Sequence, residues 1–89
     1  MTDIDVMKKD DETFKVTVRG STTTTHIVTL TKGYYEELTG GAVPAETLIQ
    51  KSFEFLLERE SNTMILSRFD LPVIGHYFPE YERRIANRW

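Results

Sequence analysis

Residues 44–60, PAETLIQKSFEFLLERE, decide how this chain folds. Pro44 suits the first turn of a helix, where an N–H would go unpaired anyway, and Glu46 follows where the helix dipole favours an anion. At about 100° per residue, Thr47, Gln50, Lys51, Glu54 and Glu58 gather on one arc about 100° wide. Ala45, Leu48, Ile49, Phe53, Phe55, Leu56 and Leu57 take the rest of the circumference. A surface helix needs an apolar arc only a little over about 100° wide, and this one is about twice that. Other parts of the chain must therefore cover both of its flanks.

Upstream lies the first cover. Thr13 to Arg19 alternates, with Phe14, Val16 and Val18 on one side and Lys15, Thr17 and Arg19 on the other, which predicts a half-buried strand. Gly20-Ser21 supplies turn chemistry. Thr24 to Thr31 is a second strand rich in β-branched residues, with His26, Val28 and Leu30 on one face and Ile27, Thr29 and Thr31 on the other. So short a connection implies an antiparallel hairpin. Residues 1–12 are polar and read as a flexible N-terminus, although Ile4 and Val6 alternate and can add a third strand. Thr31 can also cap a short helix, Lys32 to Thr39, that stops at Gly40-Gly41.

Downstream lies the second cover. Ser61-Asn62-Thr63 ends the long helix and can cap a helical turn over Met64 to Phe69. Ile74, Tyr77 or Phe78, Tyr81 and Ile85 then recur at helical spacing, and Pro79 must interrupt or restart that helix. The expected fold is α+β: an N-terminal antiparallel β-hairpin, with room for a third strand, packed against three or four C-terminal helices. Residues 13–89 form the single domain of this expectation, preceded by 1–12.

Length and composition narrow the function. A chain of 89 residues, 39% hydrophobic and 11% aromatic, suits one globular domain. It has no cysteine, which removes disulfides and thiolate chemistry. No apolar run approaches the ~20 residues a membrane span needs, and the first residues lack the order of a signal peptide. These features lead to the expectation of a cytoplasmic protein with no membrane partner. Net charge is −3; residues 13–35 carry Lys15, Arg19 and Lys32 without an acid, and residues 61–89 carry four arginines against three acids. A global basic field for nucleic acid is absent, and the basic hairpin reads as a solvated sheet face.

No catalytic constellation assembles. His26 reads as a strand-edge histidine and His76 as a half-buried aromatic, with no spacing that suits zinc. Glu54 and Glu58 lie on the polar arc, and Glu36-Glu37 reads as equally solvated. Ser52 reads as a small packing residue, and Gly40-Gly41 lacks the lysine of a phosphate loop. We therefore expect no enzyme, no metal and no cofactor. The tail aromatics divide: Phe69 and Phe78 are expected to finish the core, whereas Tyr77, Tyr81 and Trp89 are amphipathic candidates for an interface. The partner would be protein, either a second copy or another chain, because an over-wide apolar helix in a small domain often completes its core by pairing.

Two resemblances accompany this reading. SFEFLLERE at 52–60 and ILSRFDLPVIGHYFPEYE at 65–82 resemble a family of short bacterial proteins without assigned function. That resemblance implies a bacterial, cytoplasmic origin and brings no chemistry. HIVTLTKGYYEEL followed by AETLIQKSFEFLLE is more distantly similar to ribbon-helix-helix DNA-binding proteins of the antitoxin-regulator kind. It implies paired strands from two subunits in a major groove, with Ile27, Thr29 and Thr31 reading bases and Lys32 on phosphate. The leading expectation is a small non-enzymatic protein-interaction or regulatory domain. A DNA-binding dimer and a small metal-binding protein or enzyme are the alternatives.

Overall fold

A computed structural model describes residues 3–86. Its elements run β1 (Asp3–Lys8), β2 (Thr13–Arg19), β3 (Thr23–Thr29), α1 (Lys32–Thr39), α2 (Ala45–Leu57), a 3-10 turn (Asn62–Met64), β4 (Arg68–Asp70), α3 (Val73–Tyr77) and α4 (Tyr81–Ala86). The α+β class is as the sequence patterns require. The sheet has the order β1-β2-β3-β4, antiparallel through the first three strands and parallel between β3 and β4.

Alternation sets the two faces of the sheet. Phe14, Val16, Val18 and Val28 are buried beneath the helices with His26, and Ile4 and Val6 pack against that core from β1. Asp3–Lys8 forms the third strand that the alternation of Ile4 and Val6 allows, an edge strand paired along its length with β2, so this part of residues 1–12 belongs to the sheet and not to a flexible N-terminus. Ile4 and Val6 pack against the core through this pairing, and the short turn makes the pairing local. On the opposite face Asp3 accepts a hydrogen bond from Arg19 at 3.1 Å, next to Thr17, Lys15 and the half-buried Ile27 and Thr29.

Thr31 caps α1, its hydroxyl accepting from the Tyr34 N–H at 3.3 Å. Gly40 and Gly41 end the helix at φ 61° and 79°, where a Cβ would be strained. Helix α2 buries Leu48, Ile49, Ser52, Phe53, Phe55 and Leu56. Covers lie on both sides, the sheet on one and α4 on the other. On the α4 side Phe55 meets Tyr81 edge-on at 5.3 Å, and Ile85 is fully buried. Arg59 lies over the Phe55 ring at 3.7 Å and reaches Glu80 at 3.5 Å, which ties the end of α2 to the start of α4.

The helical turn expected over Met64 to Phe69 does not form. A 3-10 turn occupies Asn62–Met64, and Arg68–Asp70 is a strand. Two buried side chains hold this segment extended. The Asn62 amide donates to the Thr22 carbonyl at 2.7 Å and to the Thr24 hydroxyl at 3.0 Å. His26 Nδ1 is 2.8 Å from the Leu66 carbonyl, which can only accept, so Nδ1 carries the hydrogen. These bonds deliver residue 67 to β3, where the Ile27 N–H donates to the Ser67 carbonyl at 2.8 Å. The C-terminal helical spacing holds: Ile74, Tyr81 and Ile85 are buried, and the break falls at Pro79 between α3 and α4.

Candidate functional site

The core opens toward the surface beside its C-terminal elements. An apolar groove of about 460 Å³ lies between the end of α2, the chain around the 3-10 turn, β4 and α3. Its floor is Leu56, Ile65, Phe69 and Ile74, all buried core residues. Its rim is Met64, Leu66 and Tyr77, exposed by 70%, 50% and 64%. Val73 and Phe78 are partly buried and join floor to rim.

Each wall has a local cause. Helix α2 ends at Leu57, and its last turn continues only as far as the Arg59 and Glu60 N–H bonds to the Leu56 carbonyl at 2.9 Å, which places Glu60 at one end of the groove. The Asn62 and His26 bonds fix Met64, Ile65 and Leu66 as the second wall. Strand alternation turns Phe69 inward, where it meets Phe53 at 6.0 Å. Pro72 starts α3, which lays Val73, Ile74 and Tyr77 along the far wall and ends after one turn. Phe78 adopts an extended backbone and packs edge-on against Phe55 at 6.0 Å.

Chemically the groove is simple. Glu60 is its one charged lining residue, and the Tyr77 hydroxyl its other polar side chain. No nucleophile or acid–base pair lines it. It can bury apolar side chains of an incoming chain, and Glu60 can favour a cation at one end.

The candidate interface residues separate. Tyr77 is on the groove rim. Tyr81 is a correction: it is fully buried, and its hydroxyl lies 2.6 Å from Ser52 Oγ. Ser52 gives its own hydrogen to the Leu48 carbonyl at 2.7 Å, so Tyr81 is the donor of the pair. Burial raises the Tyr81 phenol above its ordinary pKa. Trp89 lies outside the described residues. Ser52 is thus a packing and hydrogen-bonding residue of the core.

The residues of the DNA-binding alternative also take definite places. Ile27 and Thr29 are half-buried on the outer sheet face, the Thr31 hydroxyl caps α1, and Lys32 is exposed at the first position of α1. Between Ile27 and Thr29, β3 is paired with β2 on one edge and β4 on the other. A ribbon formed with a second subunit needs one of those edges. His26, expected at a strand edge, is 2% exposed and packs on Phe53 at 5.4 Å, and His76 is exposed on α3. Among the described residues no three histidine, cysteine or acidic side chains gather as a metal site, and no helix is long and apolar enough to cross a membrane.

Sequence reading missed Met64, Leu66, Phe69 and Val73 as groove residues. Their signal was the run MILSRFDLPVI, whose apolar positions fit neither a helical nor an alternating period. No protein family, curated protein or solved structure matches the chain.

Proposed function

We propose that this chain is a small non-enzymatic protein-interaction or regulatory domain, and that a protein partner docks in the groove between α2, β4 and α3. One observation carries the reading. Of the four large apolar side chains that are most exposed among the described residues, Met64, Leu66 and Tyr77 border this one groove, and only Met7 lies elsewhere. Scattered exposed hydrophobic residues are ordinary, whereas a cluster rimming a concave apolar surface marks a contact site. The stretches 52–60 and 65–82, which resemble short bacterial proteins, hold every lining residue except Met64. That resemblance supports reading the domain as a bacterial, cytoplasmic one.

The ribbon-helix-helix reading is less well supported, because β3 has no open edge between Ile27 and Thr29.

The test is capture of partners from a lysate of the cells that make the protein, with wild type, Leu66→Glu and Tyr77→Ala. Both substitutions change exposed side chains and are expected to leave folding intact, as checked by circular dichroism. A nuclease-resistant protein held by wild type and lost from both variants supports the reading. Equal capture by all three overturns it, and capture that disappears with nuclease moves nucleic acid to the front.

A further inference from the structure

The sheet ends at β4, beside the groove, and that edge is open. Strand β4 turns its Ser67 carbonyl and Leu71 N–H toward β3, in bonds of 2.8 and 2.9 Å. Backbone groups alternate in direction along a strand, so the N–H and C=O of Arg68 and Asp70 point away from β3. Both residues are exposed, and neither side chain forms an ion pair among the described residues. Their side chains share the outer face of the sheet, opposite Phe69.

We infer that a second copy of this chain occupies the edge, with β4 pairing antiparallel to β4 about a twofold axis at Phe69. This rests on the docking reading and names the partner that the groove's open edge takes. Charge selects both the occupant and the register. An axis at Phe69 sets Arg68 of each copy directly opposite Asp70 of the other, and opposite charges in that position stabilise a strand pair. Centring on Arg68 would oppose two arginines, and centring on Asp70 would oppose two aspartates. The same register makes Arg68 and Asp70 the hydrogen-bonded pair, so their outward N–H and C=O groups are satisfied reciprocally. The interface is isologous and closes at two copies. It joins the two sheets edge to edge and keeps both helical layers on one side. The grooves then meet at the axis, where Leu66 and Met64 lose solvent.

Sedimentation velocity on the full chain over a dilution series tests this. The expected result is a reversible monomer–dimer equilibrium. Arg68→Glu and Asp70→Arg should each weaken it about tenfold or more, since each converts two attractive cross-strand pairs into repulsive ones. The double variant R68E/D70R restores opposite charges and should regain most of the lost affinity. Amide exchange at Arg68 and Asp70 should slow as concentration rises. A monomer at every concentration, or a dimer indifferent to the charge reversals, overturns the inference. If that monomer still captures a protein through Leu66 and Tyr77, the docking reading stands and self-pairing alone is lost. If the charge swap behaves as expected but Leu66→Glu alters neither dimer nor capture, the edge pairing is supported and the groove is lost.

Discussion

Tyr77 and Tyr81 are one helical turn apart in sequence and end in opposite surroundings. Tyr81 opens α4, is fully buried against Phe55 and gives its hydroxyl hydrogen to Ser52. Tyr77 closes α3 and is 64% exposed at the rim of the groove. Proline makes the difference. Pro79 has no N–H to continue α3, Phe78 is forced to an extended backbone, and a new helix starts at Tyr81. Equal spacing places side chains on one face only while the helix is unbroken. One tyrosine seals the domain and the other is left for contact.

The sharpest way to break this contrast is to remove each ring in turn. Tyr81→Ala should cost about 3–5 kcal/mol, the range for deleting a large buried aromatic, read from urea unfolding. Tyr77→Ala should cost less than about 0.5 kcal/mol. Equal losses would mean that Tyr77 belongs to the core.

Asn62→Ala probes the groove side without touching Tyr81. It strips a donor from the Thr22 and Val18 carbonyls and the Thr24 hydroxyl. The expected loss is about 1–3 kcal/mol, with faster amide exchange at Ile27 and Leu71, whose bonds hold β4. A loss without that local exchange would show that Asn62 stabilises the hairpin turn alone.

Tyr81→Phe keeps the ring and removes its bond to Ser52, for about 1 kcal/mol. It also has a pH signature. The phenol's pKa is raised above 10.0 in the fold, chiefly by burial. Only the unfolded chain ionises readily as pH rises past about 10. Stability is therefore intact below that pH and falls above it. The phenylalanine variant should lose stability less steeply there, while Tyr34, also raised by burial and by its bond to Glu82, keeps part of the alkaline loss. Unfolding midpoints on either side of pH 10 measure it. The smallest stability effect is that of Leu66→Glu, within about 0.5 kcal/mol, although it should abolish partner capture.

Much of the fold is legible because periodicity and capping act locally. The alternation at 13–19, the Thr31 cap, the paired glycines and the double flank of α2 all appear where the residues require them. Strand β4 was not legible. Its three residues are too few to show a period, and Ser61-Asn62-Thr63 suits a helix cap as well as a pinned turn. What decides is Asn62 and His26 bonding to elements some forty residues distant in sequence, a tertiary preference that no local pattern encodes. The groove shares that fate, since it exists only once β4 is in place. Tyr77 was legible as amphipathic. That Tyr81 would be its opposite depended on Ser52, in the second half of another helix.

The parallel pairing of β4 also sets an order of events in time. Strands β1 to β3 join through short turns, so their contacts can form early and cheaply in chain entropy. The β3–β4 ladder must wait until residues 30–67 have been drawn back, since Thr29 pairs with Asp70 across that whole excursion. Non-local closure of this kind slows folding. The meander and α2 can therefore assemble first, with β4 clasped last by His26 on Leu66. In reverse, the same clasp is the natural first point of release, and a transient opening there would bare the edge of β3 without unfolding the rest.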